Sequence, residues 1–182
     1  MVENRLATSL CGVQLDNPVI PASGTFGFGY EMAEVYDIDV LGSISIKGTT
    51  REARFGNPTP RIAECSEGLI NSVGLQNPGI DVPTAEKVPA LRKVYGGVII
   101  ANISGFSLEE YVACCAKADA CKEIDIIEVN VSCPNVHAGG MAFGTSPEAA
   151  ADVVRSVREA VDEVFARPGV KRKPVFVKLS PN

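Results

Sequence analysis

The chain has 182 residues, of which 46% are hydrophobic and 21% are charged, so we expect residues 1–182 to form a single globular domain rather than a disordered chain. No stretch comes near the ~18 consecutive apolar residues of a membrane-spanning helix, so we expect no membrane partner. The net charge is −5 and no basic patch stands out, which argues against nucleic acid as a partner.

Apolar, β-branched runs alternate with segments of helical length along the chain. We predict buried strands at residues 18–22, 42–47, 98–104, 124–132 and 174–180. The predicted helices cover residues 30–36, residues 84–95, Ser107 to about residue 122, and Ser146 to about residue 166. Two helix starts are well marked, because Ser107 and Glu110 form a capping box and Ser146 precedes a proline at the first helical position.

Strands that alternate with helices predict βαβ units and a parallel sheet. We predict an α/β fold of the (β/α)8 TIM-barrel type rather than a doubly wound sheet, because no strand leads into a G-x-G-x-x-G turn. A complete barrel needs eight strands and roughly 200–250 residues or more, whereas this sequence supplies about five strands. We therefore expect either a smaller open sheet or the first part of a longer barrel.

The cysteines indicate packing rather than metal binding. The six of them include no Cys-x-x-Cys pair, which excludes zinc-ribbon and thioredoxin motifs, and we predict no metal site. Cys114, Cys115 and Cys121 fall in a helix-like segment, where we expect small buried side chains. The N-terminal residues lack the apolar core of a secretory signal, so we expect reduced thiols and a cytoplasmic location.

Polar side chains follow the apolar part of several predicted strands. Lys47, Asn102, Asn130 and Lys178 each lie near the carboxyl end of a strand, which is the edge where barrel enzymes build their active sites. A strand that leaves the core also becomes polar for purely structural reasons, but four strands with the same pattern favour a site. Strand alternation places Lys47 opposite the isoleucines of its strand, and two lysines that face one pocket predict an anionic ligand.

The segment 130–140 carries the densest chemistry. Cys133 begins a loop, and nearby lysines would lower its pKa, which suits either a nucleophile or a general base. His137 follows four residues later and suggests a Cys–His pair, but Pro134 excludes a regular helix that would align the two. An ordinary loop histidine is therefore the better interpretation. The glycine-rich loop at 22–29 permits a close backbone approach to a flat ligand.

Together these residues resemble the dihydroorotate dehydrogenase family, and in particular its class 1B catalytic subunits. The matching stretches are NP at 17–18 with PASGTFGFG at 21–29, KGTT at 47–50, GNPTPR at 56–61, NSVGLQNPG at 71–79, NVSCPN at 130–135 and VKLSPN at 177–182. They span nearly the whole chain. Cysteine at position 133 resembles class 1, because the membrane-linked class 2 has serine there.

The resemblance implies an FMN-containing barrel that oxidises dihydroorotate to orotate in pyrimidine (UMP) biosynthesis. By this likeness, Cys133 is the base that removes a proton from C5 of the substrate while a hydride passes from C6 to FMN. The implied substrate-binding residues are Lys47, Asn71, Ser72, Val73, Gly74, Leu75 and Asn130. The residues implied for FMN are Ser23, Lys47, Gly48, Asn102, Asn130 and Lys178.

The resemblance also implies partners. Class 1B enzymes are oligomers that pass electrons to a subunit with FAD and a [2Fe–2S] cluster, and then to NAD⁺. In the family the last barrel strands bind the FMN phosphate. Two alternatives stay open: a related FMN barrel such as the pyrimidine domain of dihydropyrimidine dehydrogenase, which has a similar Ser-Cys-Pro loop, and a non-catalytic half-barrel that only assembles with a partner. The FGFG run at 26–29 favours dihydroorotate dehydrogenase.

Overall fold

The structure is a computed structural model that describes residues 5–132, 146–165 and 173–179, with only the backbone of 163–165. The strands are β1 (Thr8–Leu10), β2 (Val13–Leu15), β3 (Ser43–Ser45), β4 (Ile62–Cys65), β5 (Gly68–Asn71), β6 (Val98–Ile103), β7 (Ile126–Asn130) and β8 (Val175–Lys178). The α-helices are α1 (Val88–Arg92), α2 (Leu108–Ala120) and α3 (Pro147–Phe165). Short helical turns cover Tyr30–Glu34, Ile38–Val40 and Pro83–Lys87.

The central element is a four-stranded parallel sheet in the order β3, β6, β7, β8. The four strands follow one another across the sheet in the order in which they occur in the chain, as in a (β/α) barrel, with the β4–β5 hairpin inserted between β3 and β6. A doubly wound sheet would instead reverse its strand order at a switch point. The structure therefore confirms the predicted α/β fold of barrel type.

The predicted strand at residues 18–22 is wrong. This segment forms no ladder, although the Gly42 amide donates a hydrogen bond to the Val19 carbonyl oxygen at 3.0 Å beside the start of β3. Pro18 and Pro21 lack an N–H and cannot donate to a ladder, which explains the difference. The described part of the sheet accordingly has four parallel strands rather than five.

Two antiparallel hairpins are absent from the sequence prediction. Strands β1 and β2 form one of them, and β4 and β5 form the other, with Ile62 opposite Asn71. Both consist of strands of only three or four residues. Such short strands do not produce the long apolar runs by which the other strands were predicted.

The predicted helix caps are confirmed. Ser107 Oγ accepts a hydrogen bond from the Glu110 amide at 3.3 Å, and the Glu110 carboxylate accepts one from the Phe106 amide at 2.7 Å. Ser146 Oγ accepts from the Ala149 amide at 3.3 Å at the start of α3. The helix predicted at 84–95 begins with the π-helical turn Pro83–Lys87 and ends with α1 at Arg92.

The hydrophobic core lies between the sheet and helices α2 and α3. The sheet contributes Ile44, Ile99, Ile127 and Val129, and the helices contribute Cys114, Cys115, Ala118, Val153, Val157 and Val161. The prediction that Cys114 and Cys115 are buried is confirmed, whereas Cys121 is only half-buried. Burial raises the pKa of the Cys114 thiol to about 12 and that of Cys115 further still, because the thiolate would lose its hydration.

A buried lysine joins the carboxyl end of α2 to the start of β8. The ammonium group of Lys173 donates hydrogen bonds to the carbonyl oxygens of Ala118 at 3.0 Å, Asp119 at 2.6 Å and Cys121. The carbonyl oxygens of Ala118 and Cys121 also accept backbone hydrogen bonds, from the amides of Cys121 at 3.3 Å and Ile124 at 3.2 Å. The ammonium cation complements the negative end of the helix dipole. Lys173 therefore fixes α2 against the sheet.

Within residues 5–132, 146–165 and 173–179, no helix has the length and apolarity that a bilayer crossing requires. The same ranges contain no group of three or more His, Cys, Asp or Glu side chains that could hold a metal ion.

Candidate active site

A cavity of about 450 Å³ lies at the carboxyl ends of the parallel strands, the edge where barrel enzymes place their active sites. The sequence-predicted residues that line it are Ser23, Lys47, Gly48, Asn71, Val73, Gly74, Leu75, Asn102, Asn130 and Lys178. Its size falls within the range of roughly 300–1,000 Å³ that is usual for small-molecule sites. Residues far apart in the chain thus meet in one place.

One predicted site residue lies away from the cavity, and another is not among the described residues. Ser72 is exposed and does not line the cavity; its backbone amide donates to the Arg61 carbonyl oxygen at 2.9 Å. Cys133 lies outside the described residues, as does His137, so the structure gives no contact for either. Ser132, which directly precedes Cys133, does line the cavity.

Sequence reasoning missed several lining residues, namely Gly24, Thr25, Ile62, Leu69 and Ser132. Gly24 and Thr25 belong to the glycine-rich loop, and Ser132 shares a strand face with Asn130. The loop composition and the strand alternation could therefore have identified these three residues. Ile62 and Leu69 come from the β4–β5 hairpin, which was not predicted. They give the cavity an apolar wall together with Val73 and Leu75.

The two cavity lysines come from opposite ends of the described sheet and meet at the same loop. Lys178 Nζ donates to Ser23 Oγ at 2.9 Å. Lys47 Nζ lies 3.7 Å from the position that a Cβ on Gly24 would occupy. No aspartate or glutamate is among the described residues that line the cavity, so its charge favours an anionic ligand.

A chain of hydrogen bonds crosses the floor of the cavity. The Glu128 carboxylate accepts from Ser45 Oγ at 3.0 Å and from Asn102 Nδ2, and Asn102 Oδ1 accepts from Asn130 Nδ2 at 3.2 Å. Asn130 Oδ1 accepts from Ser132 Oγ at 2.6 Å. The polar residues of β3, β6 and β7 thus share the inner face, while Ile44 and Ile46 lie in the core, as strand alternation predicts.

The segment 71–79, which lines the cavity with Asn71, Val73 and Leu75, is held by the buried amide of Asn77. Asn77 Oδ1 accepts hydrogen bonds from the amides of Thr50 at 3.1 Å and Gly79 at 2.9 Å, and its Nδ2 donates to the Leu75 carbonyl oxygen at 2.8 Å. Leu75 has a φ of 58°, in the left-handed region that is costly for a branched side chain. Asn77 stabilises this turn.

A larger cavity of about 690 Å³ lies at the opposite ends of the strands, where Gly42, Val98 and Asp125 line it. There the guanidinium of Arg92 is already paired with the Asp125 carboxylate at 2.9 Å and with the Gly97 carbonyl oxygen at 2.6 Å. Arg92 and Asp125 therefore serve the fold, and the smaller cavity with two lysines and three asparagine amides is the better candidate.

The chain is similar to known proteins along nearly its whole length. The family model "Dihydroorotate dehydrogenase" matches residues 5–182. The chain is 52% identical over its full length to "Dihydroorotate dehydrogenase B (NAD(+)), catalytic subunit" of Enterococcus faecalis, covering 55% of that protein. It is 51% identical over 98% of its length to the protein of the same name from Anoxybacillus flavithermus, covering 54% of it.

The fold has a solved counterpart. The crystal structure of the Eimeria tenella dihydroorotate dehydrogenase in complex with ferulenol matches with a TM-score of 0.77 over 97% of this chain and 53% of that one. At 18% identity this likeness supports the fold alone. The chain spans about half the length of the curated relatives it matches. On the family match over residues 5–182, the chain belongs to the dihydroorotate dehydrogenase family.

Proposed function

We propose that this chain supplies the N-terminal part of a (β/α) barrel, as a single domain, in an enzyme that oxidises dihydroorotate to orotate with FMN in pyrimidine biosynthesis. The observation that carries the proposal is the meeting of Lys47, Lys178, Asn102 and Asn130 in one cavity at the strand ends. Membership of the family and the names of the relatives support the same reaction.

The described residues fit the flat ring of FMN. Gly48 lines the cavity, and an added Cβ there would come within 2.7 Å of Asn102 Oδ1, so glycine permits the close approach of the Asn102 amide at the cavity wall. We propose that Ser23, Lys47, Gly48, Asn102, Asn130 and Lys178 hold the ring. When bound, FMN supplies the acceptor for the hydride.

The lysines give this ring site its electrostatic character. Lys178 is held by the Ser23 hydroxyl and lies in register with Asn130 on the neighbouring strand. An ammonium group beside a flavin ring stabilises negative charge that arrives with the electrons, which is one way a protein tunes a cofactor. The same positive charge attracts the substrate carboxylate.

We propose that the substrate lies between the ring and the segment 71–75, contacted by Lys47, Asn71, Val73, Gly74, Leu75 and Asn130. Dihydroorotate carries a carboxylate and an imide, and amide side chains offer both donors and acceptors to such groups. Ser72 does not line the cavity, and its backbone amide and carbonyl oxygen bond to Arg61 and Asn57, so we propose that it supports this segment rather than the substrate itself. The apolar side chains Val73 and Leu75 exclude water above the ring.

Cys133 is the base in this proposal. It follows Ser132, which lines the cavity, and its thiolate would take the proton from C5 of the substrate. A side chain whose pKa lies near the working pH is the efficient choice for such a transfer. The proposal also includes an electron-transfer subunit with FAD and a [2Fe–2S] cluster that reduces NAD⁺; the words "catalytic subunit" in the relatives' names support a second subunit. An oligomeric state and a cytoplasmic location stay predictions of the sequence.

The test is to purify both the 182-residue chain and the full reading frame that contains it, and to add FMN. We expect flavin absorbance to remain with the protein after gel filtration, and dihydroorotate to bleach that absorbance without oxygen. Dihydrouracil is the matched control substrate. Bleaching by dihydrouracil instead would favour the dihydropyrimidine dehydrogenase type of barrel, and proteins without flavin would favour a non-catalytic half-barrel.

A further inference from the structure

The amide groups of Asn102 and Asn130 belong to a hydrogen-bond chain that begins at Glu128. Glu128 Oε2 accepts from Asn102 Nδ2, and it also accepts from Ser45 Oγ at 3.0 Å. Asn102 Oδ1 then accepts from Asn130 Nδ2 at 3.2 Å. Asn130 Oδ1 accepts from the amide of Ser132 at 3.1 Å and from its hydroxyl at 2.6 Å.

These hydrogen bonds all run in one donor-to-acceptor direction, and Glu128 determines that direction. A carboxylate oxygen accepts hydrogen bonds, whereas an asparagine side chain can present either its oxygen or its nitrogen to a neighbour. Asn102 must therefore turn Nδ2 toward Glu128 and Oδ1 toward Asn130. Asn130 must in turn present Nδ2 to Asn102, which leaves its Oδ1 for Ser132.

Burial makes this arrangement strict. Glu128 is 9% exposed, Asn102 is 0% exposed and Asn130 is 7% exposed, so water cannot readily replace a lost partner. The three residues lie on neighbouring strands, with Asn102 directly opposite Glu128 in the β6–β7 ladder. Each Nδ2 carries a second proton, so the arrangement leaves an N–H of each amide for an acceptor in the cavity.

We propose that Glu128 is a positioning residue that fixes the orientation of the Asn102 and Asn130 amides, so that the cavity presents N–H donors to the acceptor edge of its ligand. Glu128 itself is absent from the residues that line the cavity. That the ligand is FMN or dihydroorotate rests on the proposed function, whereas the orientation of the amides does not.

The orientation can be measured without any ligand. In ¹⁵N-labelled protein we expect the bonded side-chain amide protons of Asn102 and Asn130 to exchange with solvent at least about tenfold more slowly than those of Asn71, which is exposed. Glu128→Gln offers a donor as well as an acceptor and should speed exchange at both amides about tenfold. Ser45→Ala is the matched control, because it removes the other hydrogen bond to Glu128 Oε2 and leaves the bonds from Glu128 through Asn102 to Asn130 in place. Exchange at Asn130 should not change in this variant.

Fast exchange at both amides in the unmodified protein, or unchanged exchange at Asn130 in Glu128→Gln, would overturn the inference. If Glu128→Gln does not fold, the unmodified protein and Glu128→Asp decide instead. Glu128→Asp keeps an acceptor of the same kind and should retain slow exchange at Asn130. Equal loss of slow exchange in Ser45→Ala and Glu128→Asp would overturn the positioning role and indicate a merely structural network.

A second measurement asks whether the orientation serves the ligand. Titration with FMN should give about tenfold weaker binding and a shifted flavin absorption maximum in Glu128→Gln, as expected for about one lost hydrogen bond. Unchanged affinity and spectrum would overturn the role toward the ligand. If the unmodified protein binds no FMN, the proposed function fails, and the exchange measurement still decides the role of Glu128.

Discussion

The ammonium nitrogen of Lys178 lies 2.9 Å from the hydroxyl oxygen of Ser23, although 155 positions separate these residues in the chain. The contact joins β8, at one edge of the described sheet, to the glycine-rich loop. The same loop reaches β3 at the other edge, where the Lys47 amide donates to the Gly27 carbonyl oxygen at 2.8 Å. Both cavity lysines are therefore positioned by one loop.

Replacing Lys178 with methionine should weaken FMN binding by about 10- to 100-fold, because a charge-assisted hydrogen bond contributes about 1.5–3 kcal/mol. Quenching of FMN fluorescence on titration measures this affinity. Lys122→Met is the matched control, since that side chain is 89% exposed and pairs only loosely with Glu123 at 3.7 Å. Equal affinities of the two variants would remove Lys178 from the ring site.

Gly48→Ala should disturb the cavity through Asn102. The new Cβ would lie 2.7 Å from Asn102 Oδ1 and 3.2 Å from Leu75 Cδ1, so Asn102 must move. Overpacking of this kind costs about 1–3 kcal/mol, and we expect FMN affinity to fall at least about tenfold. Gly96→Ala is the control, because its Cβ would meet its nearest neighbour, Asp39 Oδ1, only at 3.8 Å. Wild-type affinity in Gly48→Ala would contradict the close approach proposed there.

Lys173→Met should lower the free energy of unfolding by about 1–3 kcal/mol, because it removes the charged donor to the carbonyl oxygens at the end of α2. Urea denaturation followed by circular dichroism measures the loss. In the exposed control Lys117→Met we expect a change within about 0.5 kcal/mol. If the two variants unfold at the same urea concentration, Lys173 does not cap the helix in the way described.

The cysteines should differ in their rates of alkylation according to their burial and the pH. Because the pKa of Cys114 is raised to about 12, almost none of its thiol is ionised at pH 8, and its alkylation should stay slow until the pH approaches that value. Cys11 and Cys65 are exposed and should react with iodoacetamide well before Cys114. Peptide mass spectrometry locates the modified residues. Alkylation of Cys114 in the folded protein as fast as that of Cys65 would contradict the packing of α2.

Local chemistry made part of the fold predictable. Ser107 and Ser146 mark helix starts because their hydroxyls accept from the next turn, and this depends only on nearby residues. Alternation along β3 and β7 placed Lys47 and Asn130 on the inner face for the same reason. The prediction of a strand at 18–22 was wrong because it relied on apolar composition and gave too little weight to the two prolines, which cannot donate to a ladder.

Other features depend on register between strands that are distant in sequence. The role of Glu128 follows from its position opposite Asn102 in the β6–β7 ladder, which no local pattern specifies. The apolar wall from Ile62 and Leu69 needs a hairpin whose strands have only four residues each. Ser72 was expected at the site from the resemblance, yet its neighbours Asn71 and Val73 line the cavity and Ser72 does not.

The most direct test of the central claim is the rate at which dihydroorotate bleaches protein-bound FMN without oxygen, compared between the unmodified full-length protein and its Cys133→Ala variant. We expect the variant to bind FMN as tightly as the unmodified protein, while bleaching slows by about 10²- to 10⁴-fold, the contribution of a general base. Cys65→Ala, which removes an exposed thiol, should bleach at the normal rate. Bleaching by Cys133→Ala at the rate of the unmodified protein would contradict the account.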